Sequence, residues 1–346
     1  MKKILWVIVA AVTVLALAAC GAQPQQPSPS PTQEATPSPN PSPTPVPTVE
    51  PVPTIDPNIS KTTGLPFTGE YKPVMVVIEN SPAARPQRGL QTADVVYEVP
   101  VEGAITRFVC VFSDNVPEEV MPVRSGREPF LHIQHEWDAA FMHYGGSGKN
   151  TGLDYTFYGN ALHGTIKIDI DGMEGKWNDY YYRVKGKKAP HNVMGKPKLA
   201  QQLYDYSPEP LGWLFDSDVS YDGADVTEIE LSLCSNDKDF VSYTYDAAND
   251  IYLRFMNGKE FKSAETDKQV SVKNIIVQYS TYETRDIFKM WKFVGEGNAD
   301  IYIGGKLIKG TWKKESEDSK TVFYDSKGSQ IVLRPGNTWI ELSPQK

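Results

Sequence analysis

Between Gly21 and Ser60 nearly every second or third residue is proline, including Pro27-Ser28-Pro29-Ser30-Pro31 and Pro41-Ser42-Pro43-Thr44-Pro45-Val46-Pro47. Proline fixes φ and lacks a backbone N–H, so this stretch can neither propagate a helix nor join a sheet ladder. It has almost no apolar side chains to bury. Residues 20–60 therefore read as an extended, polyproline-rich tether. At about 3.1 Å per residue, some forty residues reach on the order of 100 Å, which suits a spacer that lifts a folded body away from an anchor. What folds must lie beyond it.

The other end of the tether supplies the anchor. Lys2 and Lys3 precede an apolar run from Ile4 to Ala19. A positive start, a short apolar stretch and small residues before a cut describe a secretory signal peptide over residues 1–19. The run falls short of the roughly twenty residues of a comfortable membrane span. Leu17-Ala18-Ala19-Cys20-Gly21 resembles a bacterial lipobox, which implies that the Cys20 thiol receives a diacylglycerol and becomes the mature N-terminus. Several acyl chains on one residue give stable anchoring. The expected location is the cell membrane, lipid-anchored, on its extracytoplasmic face. The formal charge of -8 excludes nucleic acid as a partner recognised by bulk charge. Three cysteines are too few for a disulfide scaffold.

The remainder has two textures. Residues 61–225 mix strands with helical stretches and predict an α+β domain. Val74-Met75-Val76-Val77-Ile78 is a continuous apolar run of buried-strand length. Asp94 to Val99 and Ile105 to Phe112 read as a hairpin about Val101-Glu102-Gly103-Ala104. Ser125-Gly126-Arg127-Glu128 fits a capping box, with Ser125 as N-cap, opening a helix whose apolar stripe runs from Phe130 to Trp137. A strand from Ala139 to Tyr144 and a helix from Lys198 to Tyr206 follow. Residues 226–346 lose the helical period. Short alternating segments separated by Asn257-Gly258, Gly304-Gly305 and Lys327-Gly328 predict a mostly-β domain, a sandwich or a partly open barrel.

The chain resembles the YerB-like family of bacterial lipoproteins, a two-domain family of unknown function. The resemblance is carried by Glu79-Asn80-Ser81-Pro82-Ala83-Ala84-Arg85-Pro86-Gln87, Glu102-Gly103-Ala104-Ile105-Thr106-Arg107-Phe108, Pro122-Val123-Arg124-Ser125-Gly126-Arg127, His143-Tyr144-Gly145-Gly146-Ser147 and Ala189-Pro190-His191-Asn192. It continues through Tyr252-Leu253-Arg254-Phe255, Gly310-Thr311-Trp312-Lys313-Lys314 and Thr338-Trp339-Ile340-Glu341. It spans most of residues 65 to 346 and implies two domains with a lipid anchor. It brings no catalytic residue with it.

Chemistry must then be read from the residues. Arg107, Arg124 and Arg127 gather around Ser125 at an expected helix start, where free amides and guanidinium forks favour phosphate or carboxylate. Arg85, Arg183 and Asn192 can join this ligand-binding set. Alternatively these arginines pair with Glu79, Asp94, Glu98 or Glu102 and brace loops. His143 and His191 sit at element ends and are the candidates for proton transfer. Gly145-Gly146-Ser147-Gly148-Lys149 fits neither a nucleophile elbow nor a phosphate-binding loop, which leaves Ser147 weak as a nucleophile and implies no nucleotide cofactor.

His132 and His135 can share a helix face, but no metal-binding motif completes the pair, so no metal ligand is assigned. Asp169 and Asp171 read as solvated strand residues. Trp177 and Tyr180 to Tyr182 read as core plus rim. Cys110 and Cys234 leave one disulfide open. Two functional classes remain. One is a lipid-anchored envelope protein binding an anionic cell-wall component or a protein partner. The other is an envelope hydrolase or transferase acting on a phosphodiester, pyrophosphate-linked or glycan substrate. The β domain is expected as an accessory module, which an exposed aromatic face at Trp312 or Trp339 would support.

Overall fold

The computed structural model describes residues 58–209, 212–234 and 240–345. The signal peptide, Cys20 and the tether up to residue 57 lie outside the described residues. The first half supplies β1 (Val74–Glu79), β2 (Val95–Pro100), β3 (Thr106–Phe112), α1 (Glu128–Trp137), β4 (Ala140–His143), β5 (Asp169–Asp171), β6 (Tyr181–Arg183), β7 (Val193–Gly195) and α2 (Pro197–Ala200). The second supplies β8 (Glu228–Leu231), β9 (Val241–Asp246), β10 (Ile251–Met256), β11 (Asn274–Ser280), β12 (Tyr282–Arg285), β13 (Phe288–Trp291), β14 (Gly295–Ile303), β15 (Lys306–Lys314), β16 (Val322–Asp325) and β17 (Thr338–Pro344).

The two halves share one mixed, eleven-stranded sheet. Its order is β16-β15-β14-β11-β17-β2-β3-β1-β4-β5, with Ala224–Asp225 added beside β15. The joint between the halves is the parallel pair β2–β17, where Val95 faces Thr338 and Glu98 faces Glu341. β8, β9 and β10 belong to a separate five-stranded sheet. β12 and β13 pair as a two-stranded sheet of their own, so among the described residues the second half divides its strands among several sheets, none closed into a barrel.

β1 shows why the central strands are apolar throughout. All six of its residues are buried. Val74, Val76 and Ile78 enter one core, shared with Ile229, Val241, Tyr243, Tyr252 and Val272. Met75 and Val77 enter the opposite core with Phe130, Leu131, Ile133 and Trp137 of α1. A strand covered on both faces has no polar side, so alternation vanishes. Each such side chain contributes roughly 1.5–3 kcal/mol on burial.

α1 starts at Glu128, not at a Ser125 cap. Arg127 occupies the N-cap without a side-chain cap bond, and Pro129 falls in the first turn. The Ser125 hydroxyl instead donates to Tyr144 O at 2.9 Å. α1 ends where Asp138 turns left-handed, φ 45°. The second helix is shorter than its pattern predicts: one α turn, then a 3-10 turn over Gln201–Leu203. Trp312 and Trp339 are both 1% exposed, so they are core residues and present no aromatic face. Cys110 and Cys234 are buried and no disulfide joins them.

Candidate functional site

β1 ends in Glu79, whose carboxylate is 2% exposed and organises the first cluster. Ser81 Oγ donates to it at 2.7 Å. His191 Nδ1 lies 2.8 Å from its second oxygen. Arg124 Nε stands 3.4 Å from that same oxygen. This nitrogen is buried and has no hydrogen-bond partner among the described residues. The next residue, Asn80, accepts from Arg85 Nε at 3.1 Å and donates to Glu98 and Thr106.

Glu102, in the turn between β2 and β3, anchors the second cluster. Arg127 Nε reaches its two oxygens at 3.1 and 3.0 Å, and the Arg127 Nη2 group also donates to it. Arg107 Nη2 approaches the same carboxylate at 3.3 Å, and its Nη1 donates to Ser125 O at 2.7 Å. Burial pushes the Glu102 carboxyl up, but the Arg127 bonds and the charges of Arg127 and Arg107 outweigh it and hold the group at about 2. Arg107 is lowered to about 9, first by burial and then by the repulsion of Arg127, with Arg124 adding to it. Three guanidiniums therefore face two carboxylates, and the cluster carries an excess of positive charge.

Arg183 lies further along the same surface. Its Nη1 donates to Asn192 Oδ1 at 2.8 Å, and its guanidinium sits 5.2 Å from the Tyr144 ring centroid. The predicted ligand-binding residues thus form linked pairs with Glu79, Asn80, Glu102 and Asn192. The crevices beside Arg127 and Arg85 hold about 10 Å³ each, room for a single water. A cavity of about 800 Å³ lies elsewhere, bordered by His135, Asp138, Lys167 and Lys320.

His143 is not part of the arginine cluster. Its ring is fully buried, with Nδ1 2.9 Å from Gly145 O and Nε2 2.8 Å from Asp169 Oδ1. His163 Nε2 approaches the other Asp169 oxygen at 3.2 Å. The donor atoms of His143, His163 and Asp169 all lie within 4.8 Å of one another. Asp171 is buried too, accepting from Gly145 N and Tyr158 OH. The expectation of two solvated aspartates fails at Asp171, which is buried, whereas Asp169 keeps about a quarter of its side chain exposed. The parallel β4–β5 pairing sets His143 against Asp171 and leaves Asp169 within reach of its ring. The five clustered histidines and the Asp169-Ile170-Asp171 alternation were the available signals, but the pairing that joins them is non-local. His132 and His135 do not converge. His132 contacts Glu128 and Glu317, whereas His135 faces Thr165 and Asp318.

A strand-rich body, with two sequence halves woven into one sheet and a polar cluster on the first half, defines a two-domain class. Family comparison matches both halves: "Protein of unknown function (DUF3048) N-terminal domain" matches residues 62–208, and the C-terminal domain of the same description matches 229–340. The chain belongs to this family. It is 30% identical over 313 residues to "Putative lipoprotein YerB" of Bacillus subtilis (strain 168), covering 83% of this chain and 88% of the relative. The crystal structure of the YerB protein from Bacillus subtilis superposes with a TM-score of 0.68 at 28% identity, covering 83% of this chain and 97% of that one. Among the described residues no helix is long and apolar enough to cross a membrane.

Proposed function

We propose that this protein is a lipid-anchored envelope protein, attached through Cys20 on the extracytoplasmic face, that holds an anionic cell-wall polymer on its Arg124–Arg183–His191 surface. The observation that carries the reading is the charge imbalance: Arg107, Arg124 and Arg127 outnumber Glu79 and Glu102. Arg124 and His191 are each about a quarter exposed beside a buried carboxylate, and Arg183 is exposed. A shallow surface suits an extended polymer better than a small anion, which requires an enclosing pocket. Charge-assisted contacts from guanidinium groups supply the attraction.

The Glu79–His191 pair favours the second reading, an envelope hydrolase or transferase. A buried carboxylate on Nδ1 orients the ring and leaves Nε2 as the nitrogen for proton transfer. The Ser81 hydroxyl is spent on Glu79 and is not paired with the His191 ring, and the crevices beside Arg127 and Arg85 have room for about one water each, so binding ranks first.

The test is co-sedimentation of the chain beginning at Cys20 with purified cell-wall sacculi, wild type against Arg124→Ala/Arg183→Ala. Saturable binding that weakens with salt and is lost in the folded double variant supports the proposal. A wild-type protein that stays in the supernatant removes the wall ligand.

A further inference from the structure

His143, His163 and Asp169 lie outside the arginine cluster and have no part in the function proposed above. His143 Nδ1 faces the Gly145 carbonyl, so that nitrogen carries the hydrogen. The free Nε2 lone pair then points at Asp169 Oδ1, 2.8 Å away. Two acceptors held this close require a cation between them, either a proton or a metal ion. A proton shared by His143 and Asp169 accounts for two of the three groups. It leaves His163 unexplained: its Nε2 is 3.2 Å from Asp169 Oδ2, yet is buried without hydrogen-bond geometry to any partner among the described residues.

The surroundings match those of a metal site. The bond from a ligand histidine's second nitrogen to a backbone carbonyl fixes the tautomer and the ring plane. Phe157 packs its ring edge-on against both imidazoles, with centroids 4.7 Å from each. Phe141 and Tyr158 complete the shell at 5.0 Å from His143 and 5.1 Å from His163. His163 and Asp169 are 19% and 26% exposed, so the trio has a solvent-facing side.

We propose that His143 Nε2, His163 Nε2 and the Asp169 carboxylate bind one divalent transition-metal ion of the zinc class, with a fourth position open to water or an anionic oxygen ligand. Two imidazoles and one carboxylate are borderline donors that favour zinc over calcium or magnesium. Zinc–nitrogen bonds of about 2.0 Å place tetrahedral donors roughly 3.3 Å apart. That separation lies between the 2.8 Å of the nearest pair and the 4.8 Å limit of the set, so adjustments of at most about 1.5 Å by the partly exposed members suffice.

The full-length protein in detergent, stripped with a chelator, is titrated with Zn²⁺ and separately with Co²⁺. One equivalent is expected to bind, with the visible bands of four-coordinate Co²⁺ and a higher Tm in Zn²⁺. His163→Ala and Asp169→Asn should each weaken Zn²⁺ binding by about 100-fold or more, since even second-layer changes cost 10–100-fold. Both positions are partly exposed, so these variants test the site even where His143→Ala does not fold. His132→Ala should bind like wild type. The proposal is overturned by a wild-type protein that takes up no equivalent of Zn²⁺, or by undiminished binding in both His163→Ala and Asp169→Asn.

Discussion

Replacing Arg254 by methionine should cost about 3–5 kcal/mol at pH 8, because the guanidinium is the cation of a fully buried cluster at the joint between the halves. Arg254 comes from β10 in the five-stranded sheet and is 0% exposed. Its Nη2 lies 2.5 Å from Glu98 Oε2 on β2, and its Nη1 lies 3.1 Å from Glu341 Oε1 on β17. These two carboxylates face each other across the parallel pair, both 0% exposed. Burial, followed by the like charge of Glu98, raises Glu341 to about 8. Below that value Glu341 tends to hold its proton, so the guanidinium does not face two full carboxylate charges. Removing the cation leaves the Glu98 charge alone in the core. Four rings lie within 5.5 Å of Arg254, the nearest being Trp339 at 4.6 Å, and methionine can still pack against them. The loss is therefore electrostatic. Urea unfolding followed by tryptophan fluorescence measures it. The deficit should shrink at pH 5, where Glu341 holds its proton and one fewer carboxylate charge is left without its cation. In the wild type, a raised carboxyl gives stability that is complete below its unfolded value near 4.5 and is lost as the pH rises through 8. Glu341→Gln should flatten that fall. A deficit below about 1 kcal/mol at both pH values would refute the buried-charge account.

Two further tests follow the same logic. Burial alone would lower His132, but bonds to Glu128 and Glu317 hold it at about 9. Its stabilisation should be complete below pH 6.5 and lost through pH 9. The Tm should fall across that window by the equivalent of about 1–2 kcal/mol after solvent screening, and less so in His132→Gln. Glu102, held at about 2, acts in the opposite direction: its contribution is present above pH 4.5 and lost as the pH falls through 2. Glu102→Gln should destabilise by about 1–3 kcal/mol at pH 7, as Arg107 and Arg127 lose their shared partner, and should reduce the acid sensitivity seen by urea titration.

Local pattern carried most of the strands. The hairpin of β2 and β3, the alternation in β8 and the glycine-marked turns of the second half are decided by neighbours in sequence, and the structure has them. The shared sheet was not legible in the same way. β2 and β17 are more than two hundred residues apart, and a parallel pair leaves no turn signal between its partners. Two carboxylates set directly opposite are also unfavourable as a pair. Their register makes sense only with Arg254 supplied by a third strand. The candidate site divides similarly. Arg124 and Arg127 bracket one short segment in sequence, whereas Arg107 follows the Glu102-Gly103 turn and meets them through Ser125 O and Glu102. The Ser125 N-cap was not legible because Pro129 sits in the first turn and the Ser125 hydroxyl is taken by Tyr144 O, which moves the cap to Arg127.

The His143-Tyr144-Gly145-Gly146-Ser147 segment joins both candidate sites through one backbone group. Gly145 O accepts from Gly126 N at 2.9 Å, fixing the strap between Arg124 and Arg127, and the same oxygen faces His143 Nδ1. Gly145 holds φ +76°, a conformation that side chains rarely adopt. A Cβ on Gly146 would meet Phe157 at 2.3 Å, the ring that packs against His143 and His163. Both glycines are therefore required by geometry at a point where two polar clusters lean on one carbonyl. An anion drawing on Arg124 would pull on the strap that also sets the His143 ring plane. A metal ion on His143 would in turn stiffen the strap that carries the arginines. The two clusters share this one carbonyl, so a substitution that shifts Gly145 is expected to disturb both.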